Sequence, residues 1–267
     1  MHIVVCAKQI PNPETASSVF KVDEQAGKVI PVAGMPLVVS PFDEQAMEAA
    51  LRIREKNPDV KITIMSLGPA SAREVIKYGL SMGADEGVLL TDTSFDGGDG
   101  YTTALVLAQA IRKMGDCDLV LTGRQAADWD AGIVGCGIAE LLGVAAITFA
   151  KTIQVQEDTV RVDRVLDDGF ETVETRLPAV VTISNELGTA RSANLRETMR
   201  AARKPVKLWT AADIGLDTAQ VGSAGARKTL ERLYVPVKER HCEMIQGGSP
   251  EELAKNLIAR LQEAKLI

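Results

Sequence analysis

Short runs rich in Val, Ile and Leu recur at residues 3–7, 60–66, 86–90, 118–123 and 145–149. Most are apolar almost throughout, as expected of strands covered on both faces. Between them the apolar period lengthens to that of a helix, over residues 41–55, 70–82, 102–113 and 133–142. In the second of these, Ala72, Val75, Ile76 and Leu80 fall on one side. The first carries a start signal: Ser40 at the cap position, Pro41 at the first helical position, and Asp43 and Glu44 in the first turn. Strand–helix alternation of this kind predicts an α/β fold with a doubly wound, mostly parallel sheet and right-handed crossovers.

The pattern then changes. Residues 152–156, 159–166 and 171–176 read as short antiparallel strands, separated by the turn signals Gln156-Glu157-Asp158 and Asp167-Asp168-Gly169. Pro178 opens a further apolar run over 179–183, and residues 185–204 are basic. Residues 206–244 show scattered Gly and no core period, so they read as an arm lying on another surface. A final helix is marked by Ser249, Pro250 and Glu252 in a capping box, followed by a stripe of Leu253, Leu257, Ile258 and Leu261. The expected division is therefore residues 1–205 as one α/β domain with a small antiparallel excursion, and residues 206–267 as a C-terminal arm plus helix.

Composition narrows the chemistry. The net charge is −6, so no global field exists to hold a polyanion, and general nucleic-acid binding is disfavoured. Aromatics make up 4 % of the chain, which leaves the core to aliphatic side chains. His2 and His241 are the only histidines, and Cys6, Cys117, Cys136 and Cys242 form no CxxC pair. A His/Cys metal site and His-based triad chemistry are thus not expected, and the thiols read as reduced and buried. No apolar stretch reaches the length of a membrane span, and the opening MHIVVCA lacks a cationic n-region, so the expected location is cytoplasmic.

In an open parallel sheet, ligands bind outside the carboxyl ends of the strands. The segments that follow the first four strand runs are Ala7-Lys8, the loop from Ser66 through Leu67 and Gly68, the GGDG stretch with Asp99 leading to Thr102 and Thr103, and the long loop from Gly123 to Gly132. They are rich in small residues, and two open helices whose free N–H groups favour an anion such as phosphate. Arg124 and the hydroxyls of Thr102 and Thr103 add donors. Plainer readings stand beside this one. A GGDG stretch more often makes an ordinary turn, Asp128 and Asp130 suit a helix cap better than Mg²⁺, and Trp129 suits packing. Lys8 reads equally as a surface side chain or as a contact to phosphate and ribose. The basic stretch from Arg191 to Lys204 lacks interleaved aromatics and suits a solvated helix face or a protein-docking surface. There is no GxGxxG and no GxxxxGK[ST], which argues against a Rossmann dehydrogenase and a Walker NTPase.

The segments VVCAKQIPNPE, MSLGPASAREVIKYGLSMGADEGVLL, DLVLTGRQAADWDAGIVGCGIAELLG and DDGFETVETRLPAVVTISNELGTARSANLRETMRAARKP together resemble the β subunit of electron transfer flavoproteins over about residues 1–210. The resemblance implies an adenine-nucleotide α-hydrolase-like fold. It also implies a heterodimer with an α subunit that carries a redox-active FAD. The β subunit itself would hold AMP or, in electron-bifurcating members, a second FAD. It places nucleotide contacts on Ala7, with Lys8 beside it, on Ser40, Pro41, Phe42 and Asp43, and on Leu67, with Gly68 beside it. In the long loop they fall on Gly123, Arg124, Gln125, Ala126, Asp128, Asp130, Ala131, Gly132, Ile133 and Val134. Asp99, Thr102 and Thr103 match a loop used around the diphosphate in FAD-binding members. Leu195 matches the leucine that anchors acyl-CoA dehydrogenases, in a loop followed by a basic helix. The chain departs from the family pattern at Ile133, where Gln is frequent, and at Trp129-Asp130-Ala131, where bifurcating members read Gly-Asp-Thr. The implied function is electron transfer between a dehydrogenase and a downstream acceptor, with bifurcation using NADH left open. No side chain would need to act as acid, base or nucleophile. A stand-alone ATP- or AMP-binding protein of the universal-stress kind, and a scaffold with an empty cleft, are the alternatives.

Overall fold

The computed structural model describes residues 1–16, 19–30, 35–236 and 242–267. In chain order the first elements are β1 (His2–Cys6), β2 (Gln9–Pro11), β3 (Lys21–Asp23), β4 (Lys28–Ile30), β5 (Leu37–Val39), α1 (Pro41–Lys56), β6 (Lys61–Leu67), α2 (Arg73–Met82), β7 (Glu86–Leu90) and α3 (Gly100–Met114). The remainder are β8 (Leu119–Gly123), α4 (Val134–Leu142), β9 (Ala145–Gln156), β10 (Thr159–Leu166), β11 (Gly169–Arg176), β12 (Ala179–Ile183), α5 (Leu195–Arg203), β13 (Lys207–Trp209), α6 (Gly222–Gly225) and α7 (Pro250–Glu263).

Nine strands form one sheet in the order β11-β10-β9-β12-β8-β1-β6-β7-β13. From β9 to β13 every pairing is parallel, while β10 joins β9 and β11 antiparallel. The doubly wound α/β expectation holds, antiparallel excursion included. Side chains alternate across β1: Ile3 and Val5 pack with Met47, Ile62, Ile64 and Leu121 on the α1–α2 face, and Val4 packs with Val106, Leu107, Val120 and Ile138 on the α3–α4 face. The chain winds outward from β1 through β6 and β7, then returns to β1's other edge as β8. The order therefore reverses between β1 and β8, the kind of crevice where open α/β sheets take their ligands.

Three expectations need correction, and two small ladders are added. The runs at 145–149 and 152–156 are one strand, β9. Phe149 adopts φ 59° and the pairing register shifts nearby. This irregularity lets one strand serve β12 in parallel with its first half and β10 antiparallel with its second. The stretch after 205 is not wholly an arm. β13 pairs in parallel with β7, and Ala211, Ile214 and Val221 are buried against the α3–α4 side. Its core residues are too few and irregularly spaced to show a period. Two small antiparallel ladders, β2 with β5 and β3 with β4, leave no mark in the sequence because three-residue strands give no periodicity. Of the cysteines, only Cys6 is buried and Cys117 is half-buried, whereas Cys136 and Cys242 are exposed. Burial pushes the Cys117 thiol up to about 12 and raises that of Cys6 as well. His2 is buried, with Nε2 2.8 Å from Thr63 Oγ1 and Nδ1 3.0 Å from Asp116 Oδ1, a packing role. His241 lies outside the described residues.

Candidate functional site

The crevice between β1 and β8 is closed at its floor by one side chain. Asp43, in the first turn of α1, accepts the Lys8 N–H on Oδ2 at 2.8 Å and the Gly123 N–H on Oδ1 at 3.0 Å. Its carboxylate therefore ties the strand end of β1 to that of β8. Burial pushes Asp43 up to about 7, and the two backbone N–H groups offset this only in part. Gly123 makes the approach possible. A Cβ there would lie 2.6 Å from Asp43 Oδ1 and 2.6 Å from Phe42 Cβ. Ser40 occupies the cap position of α1, but its side chain makes no capping bond, and its buried hydroxyl has no partner. The Ser66 hydroxyl near the end of β6 is likewise buried and unpartnered. Ala7 is buried one strand away, its N–H bonded to Met65 O. Leu67 ends β6, and the Gly68 N–H reaches Leu90 O.

The Lys8 ammonium extends across the crevice, its Nζ 2.6 Å from Asp128 Oδ2. The long loop is then shaped from within. Gln125 donates to Asp130 Oδ1 at 2.7 Å, the Asp130 N–H reaches Ala126 O, and Asp130 adopts φ 50°. Neither Asp128 nor Asp130 caps α4; the cap position is Ile133, with no side-chain bond. Ala131 and Gly132 are exposed, and Val134 begins α4. Trp129 is 58 % exposed, so it is not a core residue. The Arg124 guanidinium lies 5.0 Å from the Phe42 ring centroid and 5.6 Å from that of Phe149, and reaches Ser184 Oγ at 3.4 Å. Its Nε is buried without a partner.

The third loop is organised around Asp99 at the start of α3. Asp99 caps α3, accepting the Thr102 N–H on Oδ1 at 2.9 Å, while Oδ2 takes the N–H groups of Arg227 and Lys228 at 2.8 and 3.0 Å. The Thr102 hydroxyl is turned to Asp99, and Thr103 sits in the first turn with its N–H on Asp99 O. Burial works to raise the Asp99 carboxyl, but the three backbone N–H groups hold it below the ordinary range. Asp99 thereby ties the stretch at Arg227 and Lys228 to the start of α3. Ile133 covers the start of α3: a Cβ on Gly100 would lie 2.5 Å from Ile133 Cδ1. Ser184, with its bond to Glu186, and Phe149 were missed. Surveying the segment after β12 as well as those after the earlier strands would have found Ser184.

Leu195 belongs to a different element from the rim loops. It is the first residue of α5, not part of a loop, and is 77 % exposed beside the exposed Met199. With Arg196, Arg200 and Arg203 these line an open cavity of about 420 Å³. Among the described residues, no group of three or more His, Cys, Asp or Glu could hold a metal ion. No helix among them is long and apolar enough to cross a membrane.

Fold and rim together define a doubly wound α/β protein whose candidate site lies at the switch point between its first and fourth parallel strands. The electron transfer flavoprotein domain model matches residues 29–214. The caffeyl-CoA reductase-Etf complex subunit CarD of Acetobacterium woodii is 36 % identical over 267 residues, all of both chains. The electron transfer flavoprotein subunit beta of Megasphaera elsdenii is 38 % identical over 242 residues, 88 % of each. Protein FixA of Azorhizobium caulinodans is 34 % identical over 269 residues, 98 % of this chain and 94 % of that one. The chain belongs to the electron transfer flavoprotein family, as a β-type electron transfer subunit.

Proposed function

We propose that this subunit grips the adenylate half of a nucleotide, the part that AMP and FAD share, at the β1–β8 crevice. On this reading it assembles with an FAD-bearing α subunit into an electron carrier. The supporting observation is the Asp43 clamp, which holds two strand ends together beside the unpartnered buried hydroxyls of Ser40 and Ser66. Buried polar atoms without partners are costly, and a ribose or phosphate oxygen would satisfy them. The residues therefore fit an adenylate. The free N–H groups at the start of α4 and the Lys8 ammonium suit its phosphate. A bound flavin supplies the electron chemistry. The chain's task is to bind and orient it and to exclude water.

Leu195 and its arginine neighbours would dock an acyl-CoA dehydrogenase or related flavoenzyme, with the apolar side chain as anchor and the guanidinium groups meeting acidic residues. The likeness to a subunit of a caffeyl-CoA reductase complex supports a thioester-oxidising or thioester-reducing flavoenzyme. The exposed stripe of Leu253, Leu257 and Ile258 on α7 would lie on the α subunit. The test is to denature the purified αβ complex and count the nucleotides it releases. One AMP with one FAD marks a simple carrier, and two FAD mark a bifurcating form that would draw on NADH. A complex that releases no adenine nucleotide beyond the α-subunit FAD overturns the reading.

A further inference from the structure

Helix α5 presents Leu195 and Met199 to solvent, yet only Ala201 of the helix is buried. Nine residues with so little apolar anchorage are a weak helix by themselves. Two charged clamps hold it in place. At its approach, Glu48 of α1 has a side chain only 5 % exposed and takes Arg191 in a bidentate pair, Nε to Oε2 at 2.7 Å and a terminal nitrogen to Oε1 at 3.0 Å. The same carboxylate receives the Arg191 backbone N–H at 3.2 Å and Arg52 at 2.8 Å. Arg52 continues to Leu187 O at 3.0 Å. Burial works to raise Glu48, but the arginines outweigh it and hold it ionised, below its ordinary value. At the far end, Lys77 of α2 gives its ammonium to the carbonyls of Ala201, Ala202 and Lys204 at 3.0, 3.0 and 2.6 Å. A cation on the last carbonyls of a helix caps it and meets the negative end of its dipole.

We propose that Glu48 and Lys77 are positioning residues for partner docking, fixing the entry and exit of α5 so that Leu195 and Met199 are presented in one orientation. This rests on the reading of Leu195 as the docking anchor. α1 thereby serves two sites: its first turn closes the nucleotide crevice through Asp43, and its later turns hold the segment that leads to the docking helix. Preorganising an interface lowers the ordering cost of binding, so loosening it weakens encounter with the partner and leaves the electron-transfer step intact.

The experiment uses the αβ holo-complex and a purified acyl-CoA dehydrogenase as the probe partner. Glu48→Gln and Lys77→Met are each expected to raise the KM for the dehydrogenase by about tenfold. Transfer rate at saturating dehydrogenase and nucleotide content stay at the parent level. Hydrogen exchange quickens over residues 185–203, and Arg191→Lys, which keeps the charge but not the fork, falls between parent and Glu48→Gln. Should Glu48→Gln fail to fold, Arg191→Lys and Lys77→Met carry the test, since neither removes the buried carboxylate. Parent-like KM in the clamp variants beside a raised KM in Leu195→Ala overturns the clamps alone. A parent-like KM in Leu195→Ala itself overturns the docking reading, and the proposal with it.

Discussion

Asp43 shows how much one side chain can organise. It is held at about 7, against an ordinary 3.8, by burial, with the backbone N–H groups of Lys8 and Gly123 pulling the other way. The charged groups that act on it are the Lys8 ammonium, which favours its ionisation, and the Asp128 carboxylate, which opposes it. Because its folded value lies above its unfolded one, the folded state keeps the proton longer. The stability this supplies is full below pH 3.8 and is lost as pH rises through about 7. Asp43→Asn cannot titrate. The stability of the parent should therefore fall relative to Asp43→Asn between pH 4 and 7 and run parallel to it above pH 8. Thermal melting of both across that range checks this, and a constant difference would contradict the assignment. The residue was visible in sequence as a first-turn helix acid and through the family resemblance. That it bridges two strand ends was not, because Gly123 lies eighty positions away in the chain.

Among the elements, β13 and the turns after it carry more than their sequence suggests. β13 extends the sheet beyond β7, and Lys207 and Lys61 both reach Glu86, at 2.7 and 2.9 Å. Together they hold the Glu86 carboxyl down at about 2. This pair lies at the surface, where such contacts add little. The anchorage comes from Ala211, Ile214 and Val221. Ile214→Ala should therefore cost about 3 kcal/mol of stability by denaturant unfolding, the usual range for emptying a buried branched site. A loss below about 0.5 kcal/mol, normal for a surface change, would place this segment outside the folding unit. Strands β1, β6, β7, β8 and β12 were legible because each is a run of buried aliphatics. β13 was not: three residues with Lys207 and Leu208 exposed carry no such mark.

At the scale of the whole molecule, α7 has little hold on its own chain among the described residues. It has no buried residue, and among the described residues its side-chain bonds to other segments reach Glu243, Gln246 and Gly248, all just before it. Its apolar stripe faces solvent. A partner chain covering it would explain why a helix with a well-formed Ser249 cap keeps Leu253, Leu257 and Ile258 exposed. Removing residues 245–267 should leave the melting of this subunit by itself within about 1 kcal/mol of the parent, because no core contact is lost. The same truncation should weaken αβ assembly, seen as dissociation in sedimentation at low micromolar concentration. Assembly unchanged by the truncation would place the α subunit elsewhere.

Local pattern was enough for the layered α/β architecture, the helix starts and the set of loops at one sheet edge, since burial on both faces and capping leave their marks in adjacent residues. It was also enough, through whole segments, for the family. Folding supplied what separation along the chain conceals: Asp43 between Lys8 and Gly123, Lys8 on Asp128, Asp99 turned to the arm, and Glu48 holding Arg191 from 143 positions away. Each of these is a pairing of polar groups brought close by packing. A carboxylate's partner depends on which backbone amide or guanidinium the fold delivers, and no period in the sequence encodes that.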